Sequence, residues 1–196
     1  MLKSRMTFEE FLELPEQEPP LEWLDGEVFP KWDEEEDMPN QRHGTLQGTC
    51  YYLLRQWARP AGLGRVMTET RSTPRANTSE GSLIPDVSFI SAARAQGSPP
   101  NQPLLGAPDL AVEILSPGQG FNEVHKRVEW FLSNGAQLVW VVDGVDRSVT
   151  VFKPEAAPRM LRRDQDLADE ALPGFHGTVA QLFAEADLPE GPAEQP

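Results

Sequence analysis

Five consecutive apolar residues, Leu138-Val139-Trp140-Val141-Val142, constrain the fold of this chain more than any other feature. A run this short and this rich in β-branched and aromatic residues reads as a strand, and a strand with no polar face must be covered on both sides. The chain therefore needs a sheet with helices packed on it. Two helical stripes are legible. From Asn40, an N-cap residue type, Leu46, Cys50, Leu53, Leu54 and Trp57 trace one face as far as Pro60. Val124, Val128, Phe131 and Leu132 trace another after Asn122, which can cap that helix, and Gly135 stands at the C′ position.

Further strands are expected over 64–70, 83–90, 109–115 and 148–152, with two short ones around the Asp25-Gly26 turn in Leu21 to Val28. Thr7 and Glu10 have capping-box spacing for a short first helix, and a last one begins near Thr178. The expected class is mixed α/β, a central mixed sheet flanked by helices, as one domain over 1–188 with a disordered tail over 189–196. Residues 91–108 hold four prolines and two glycines, a long connection of the kind that is functional or mobile. The acidic run Asp33 to Asp37 reads as a solvated loop.

A single cysteine, Cys50, excludes an internal disulfide framework and fits a reducing, cytoplasmic compartment. The start, MLKSRMTFEE, lacks the apolar stretch of a signal peptide, and no apolar run approaches a membrane span. The net charge of −14 argues against a nucleic-acid partner, but it is unevenly spread. Residues 41–134 are net +2, and Arg42, Arg55, Arg59, Arg65, Arg71 and Arg75 fall in a stretch whose only acid is Glu69. These arginines are either a local basic surface or scattered solvated side chains.

Two carboxylates interrupt otherwise apolar strands: Asp86 within Leu83 to Ile90, and Glu113 within Asp109 to Leu115. Burying a carboxylate costs free energy unless it is paired, protonated or bound to a cation. Lys126 follows near the start of the next helix. Two carboxylates and an ammonium at the end of a sheet suit metal-dependent phosphodiester hydrolysis: the acids hold magnesium or manganese, and the lysine steadies the attacking hydroxide. Each residue also has an ordinary structural account, in which Asp86 accepts amide hydrogen bonds, Glu113 pairs with an arginine and Lys126 is an exposed helix residue.

The ordered segments "MTFEEFLELP", "LEWLDGEV", "IPDVSFI", "GAPDLAVEILSP", "NEVHKRVEWFLSNG", "LVWVVD" and "LPGF" resemble the Uma-type endonuclease family of the PD-(D/E)xK nuclease superfamily. The resemblance implies a restriction-endonuclease-like core, Asp86 and Glu113 as metal ligands, and Lys126 as a catalytic lysine displaced from its usual place, which is here Leu115. It also implies Glu22 and His43 as supporting residues, magnesium or manganese as cofactor, DNA as partner, and a homodimer. Ile84, Gly118 and Asn122 depart from the family pattern, which bears on activity rather than on fold. The alternative function is a protein that keeps the fold with a vestigial site and acts as a binding or regulatory module.

Overall fold

A computed structural model of the chain describes residues 6–32, 40–75, 80–116, 119–184 and 186. The elements run α1 (Phe8–Leu12), β1 (Leu21–Leu24), β2 (Glu27–Pro30), α2 (Gln41–Ala58), β3 (Gly64–Thr68), β4 (Ser72–Thr73), β5 (Gly81–Ser82), β6 (Val87–Ser91), α3 (Ala92–Gln96), β7 (Leu104–Leu105), β8 (Leu110–Ile114), α4 (Phe121–Ser133), β9 (Leu138–Asp143), β10 (Ser148–Phe152), β11 (Arg159–Arg162) and α5 (Val179–Phe183). The acidic run and the expected tail lie outside the described residues.

The main sheet has the order β11-β10-β9-β8-β6-β3, parallel between β8 and β9 and antiparallel elsewhere. The apolar run is β9, buried from Leu138 to Val142 in the interior of this sheet. Because side chains alternate along a strand, its two sides feed two separate clusters. Leu138, Trp140 and Val142 pack with Leu46, Cys50 and Leu54 of α2, whereas Val139 and Val141 pack with Val124, Val128 and Phe131 of α4. Each such fully buried side chain stabilises the fold by about 1.5–3 kcal/mol. In β8, Val112 and Ile114 join the α2 cluster and Ala111 the α4 cluster, so Glu113 belongs to the α4 face.

The local signals account for most element ends. Thr7 and Glu10 form a reciprocal capping box, and Asn40 accepts the His43 amide at 3.0 Å. Asp25 and Gly26, at φ 53° and 80°, make the tight turn between β1 and β2, and Gly135 takes φ 101° after α4. Two expectations are corrected, and three short elements are added. The helix α4 is capped by Gly120, whose carbonyl accepts from the Glu123 and Val124 amides, so Asn122 lies inside its first turn. Strand β6 begins at Val87, after Pro85, whose ring has no amide to give, and Asp86, whose side chain occupies the ladder. Residues 91–108 contain α3 and β7, because Asp109 fastens the segment by accepting from the Ser91 amide at 2.7 Å and from Arg94 at 2.9 Å. Strand β11 is a sheet edge with only Leu161 buried, too weak a pattern to read in sequence. Among the described residues no helix is long and apolar enough to cross a membrane.

Candidate active site

Strands β6 and β8 pair as far as Val87 and Val112, and one further step in that register brings Asp86 level with Glu113. Both carboxylates are buried, at 4% and 7% exposure. Where the ladder would continue, the Asp86 side chain takes the place of backbone: its Oδ2 accepts from the Ile114 amide at 2.7 Å. The β1–β2 hairpin adds two more groups. Glu22 lies on the Leu24 side of β1, facing the α4 cluster, and is fully buried. Just past β2, the Lys31 amide donates to Pro20 O at 2.9 Å and holds the chain where the Lys31 side chain reaches Asp86.

Two polar networks meet here. On the α4 side, Arg127 is the hub. Its Nε donates to Glu113 Oε2 at 2.8 Å and its Nη2 to Glu113 Oε1 at 3.0 Å, while Nη1 binds Glu22 Oε2 and Nη2 also reaches Ile84 O at 3.4 Å. The other oxygen of Glu22 accepts the Ile84 amide at 2.6 Å. On the α2 side, Lys31 Nζ stands 3.0 Å from Asp86 Oδ1 and hydrogen-bonds Glu69, and His43 Nε2 is 3.5 Å from the same Asp86 oxygen. Gln47 ties the network together, donating to Glu69 Oε1 at 2.6 Å and to Asp86 O at 3.0 Å.

The electrostatics of the two acids diverge. Burial disfavours charge on Asp86, but Lys31, the hydrogen bond from His43 and the Ile114 amide hold its carboxyl well below the usual range. For Glu113 burial wins: despite Arg127, and with Asp86 and Glu22 adding like charge, its carboxyl is pushed up to about 7. Lys31 is held above its ordinary value because Asp86, Glu69 and Glu22 outweigh its burial.

The structure thus brings together Glu22, His43, Asp86 and Glu113, and leaves out Lys126. Lys126 is exposed, whereas Arg127 next to it is buried and falls on the Val124–Val128–Phe131 side of α4. Trp130, one turn beyond Lys126, is covered locally: Gly81 of β5 packs so closely that a Cβ there would sit 2.2 Å from the indole nitrogen. Sequence reasoning missed Arg127 and Lys31. Arg127 was legible, since it lies at i+3 from Val124 and i−4 from Phe131. Lys31 carried no signal, because nothing in the sequence shows that the hairpin packs beside β5 and β6. The ordinary accounts of Asp86 and Glu113 are also present, as the Ile114 amide and the Arg127 fork.

The arginines of the middle segment divide rather than forming one patch. Arg42 is spent on Gly144 O at 2.8 Å, and Arg71 on Leu21 O and Ser82 Oγ. Arg55 of α2 and Arg59 at its C-cap are exposed, as is Tyr52.

Residues 8–180 match the model of the Uma2 family, described as "Putative restriction endonuclease". The chain belongs to the Uma2 family. It is also similar to a solved structure, described as "a putative nuclease belonging to DUF820 from Anabaena variabilis", with 28% identity and a TM-score of 0.79 over 91% of this chain and 98% of that one. None of the curated proteins matches the chain.

For a Uma2 chain with this cluster, the chemical question is whether the residues fit a divalent metal. Among the described residues, no group of three or more His, Cys, Asp or Glu is placed to hold a metal ion. Magnesium does not need one: it is commonly held by one or two carboxylates, with water and substrate phosphate filling its other positions. Asp86 and Glu113 supply hard oxygen donors: Asp86 Oδ2 and both Glu113 oxygens each retain a lone-pair direction beyond the one hydrogen bond they accept, whereas Asp86 Oδ1 faces both Lys31 and His43. Charge points the same way. Among the described residues, four carboxylates (Glu22, Glu69, Asp86, Glu113) contact two permanent cations, Lys31 and Arg127, with His43 a third only when protonated. The residues fit a hard dication.

Proposed function

We propose that this Uma2 protein is a magnesium- or manganese-dependent endonuclease that hydrolyses phosphodiester bonds of DNA, with Asp86 and Glu113 as the metal-holding residues. The observation that carries the reading is the meeting of these two buried carboxylates at one end of the sheet, among more acids than the cations touching them neutralise. A bound metal would polarise a phosphoryl oxygen and activate water. The chain's own residues provide the frame. The Ile114 amide fixes the Asp86 carboxylate, Arg127 fixes both oxygens of Glu113, and Glu22 anchors Arg127 from the hairpin. His43 and Gln47 bring the first turns of α2 against Asp86. Tyr52, Arg55 and Gln56 of α2 with Arg59 and Pro60 just beyond it line an exposed surface with no acid among them, of the kind that supports contact with a phosphate backbone.

One observation favours the alternative of a vestigial site in a binding or regulatory module: the Arg127 fork engages both oxygens of Glu113 and supplies positive charge of its own. Incubation with supercoiled plasmid separates the two. The nuclease reading predicts nicked and linear products with millimolar magnesium or manganese and none with chelator. Plasmid retained in gel-shift complexes but uncut in either metal would establish the alternative. Cutting both strands requires two sites, so the reading includes a homodimer. Sedimentation showing only monomer at micromolar concentration, the order relevant to weak dimers, contradicts that part.

A further inference from the structure

We infer that Lys31, and not a lysine of α4, is the ammonium of this site, resting on the nuclease reading above. The three cations available at the sheet end differ in what they have left to give. Lys126 is exposed outside the cluster. Arg127 directs Nε, Nη1 and Nη2 at Glu113, Glu22 and Ile84 O, so its guanidinium is committed to holding carboxylates. Lys31 is different. Its side chain is only 7% exposed, its Nζ lies 3.0 Å from Asp86 Oδ1, and it binds Glu69. An ammonium has three N–H donors, and among the described residues these two acceptors leave one over. His43, whose Nε2 faces Asp86, has its other ring nitrogen, Nδ1, buried without a partner among the described residues.

This placement gives Lys31 a definite role. In the hydrolysis proposed here, a water oxygen bonds to phosphorus while the bond from phosphorus to the leaving sugar oxygen breaks. The electron pair departs with the sugar oxygen, which takes a proton, and the water's proton passes to solvent. Negative charge grows on the phosphoryl oxygens meanwhile. The spare N–H of Lys31 donates to one of them, and the ammonium is unchanged at the end. A compact ammonium on a flexible stem suits this task, whereas a guanidinium locked in a double fork does not.

The test compares wild type, Lys31→Gln, Lys31→Met and Lys126→Met in manganese-dependent plasmid cleavage and in manganese binding by calorimetry. Lys31→Gln keeps a donor for Asp86 or Glu69 and covers the case in which Lys31→Met fails to fold. Removing Lys31's charge is expected to lower kcat by about 10²–10³-fold, the effect of deleting one preorganised donor, with KM for DNA little changed. Manganese should bind these variants about fivefold tighter or more, because a positive charge beside Asp86 is gone. A folded Lys31→Gln that cleaves within threefold of wild type, or binds manganese no tighter, overturns the assignment. So does loss of cleavage in Lys126→Met with Lys31→Gln still active. A wild type that cleaves no DNA overturns the nuclease reading and this assignment with it, which distinguishes that failure from failure of Lys31 alone.

Discussion

Replacing Arg127 with Met is expected to lower the unfolding free energy by about 3–5 kcal/mol, the usual cost of removing one partner from a buried ion pair. Arg127 is 4% exposed overall, and its guanidinium serves two carboxylates that water barely reaches, Glu22 and Glu113. Without it both are left charged or forced to take protons. Against a total stability of about 5–15 kcal/mol, such a loss takes the protein to the edge of folding. Denaturant midpoints in chelator measure it. The triple variant Glu22→Gln, Glu113→Gln, Arg127→Met should recover much of the loss, since it removes the charges together. The effect has a pH sign. Burial already raises the Glu113 carboxyl to about 7, above its unfolded value, and loss of Arg127 raises it further. A group raised in this way favours the folded state at low pH and loses that contribution as pH rises through the folded value. Arg127→Met should therefore be destabilised less at pH 5 than at pH 8. Equal destabilisation at both would show that Glu113 does not carry the cost.

Cleavage should respond even more sharply to the acids themselves. Asp86→Asn and Glu113→Gln are near-isosteric, and each removes one of the two negative oxygen donors proposed to hold the metal. Loss of at least about 10³-fold in metal-dependent plasmid cleavage is expected from either, comparable to the larger effects of removing a charge-stabilising group from a catalytic centre. Asp86→Asn keeps one oxygen for the Ile114 amide, so the sheet end should survive, and circular dichroism can verify this. Full cleavage by both folded variants would remove these residues from the chemistry.

The sheet and its cover were legible because their signals are periodic and local. The run from Leu138 to Val142, the stripes beginning at Leu46 and Val124, and the Asp25-Gly26 turn each declare an element within a dozen residues. Asp86 and Glu113 were legible for the opposite reason, as charges that violate an apolar pattern. What lay beyond the sequence was assembly across distance. Arg127, bound to Glu113, reaches Glu22 across 105 residues, and Lys31 meets Asp86 because β1 pairs with β5. Glu22 stands beside a turn, where a surface residue is equally at home in sequence terms, and it is the contacts with Ile84 and Arg127 that enclose it. Lys126 and Arg127 are adjacent cations on one helix, and the register that turns Arg127 inward was present in the spacing from Val124 to Phe131.

Manganese binding measured by calorimetry on wild type, Asp86→Ala and Glu113→Ala tests the central claim most directly, because it needs no knowledge of the DNA that is cut. A shared metal site predicts binding by the wild type and its loss in both variants while each remains folded. Undiminished binding in both variants would contradict it.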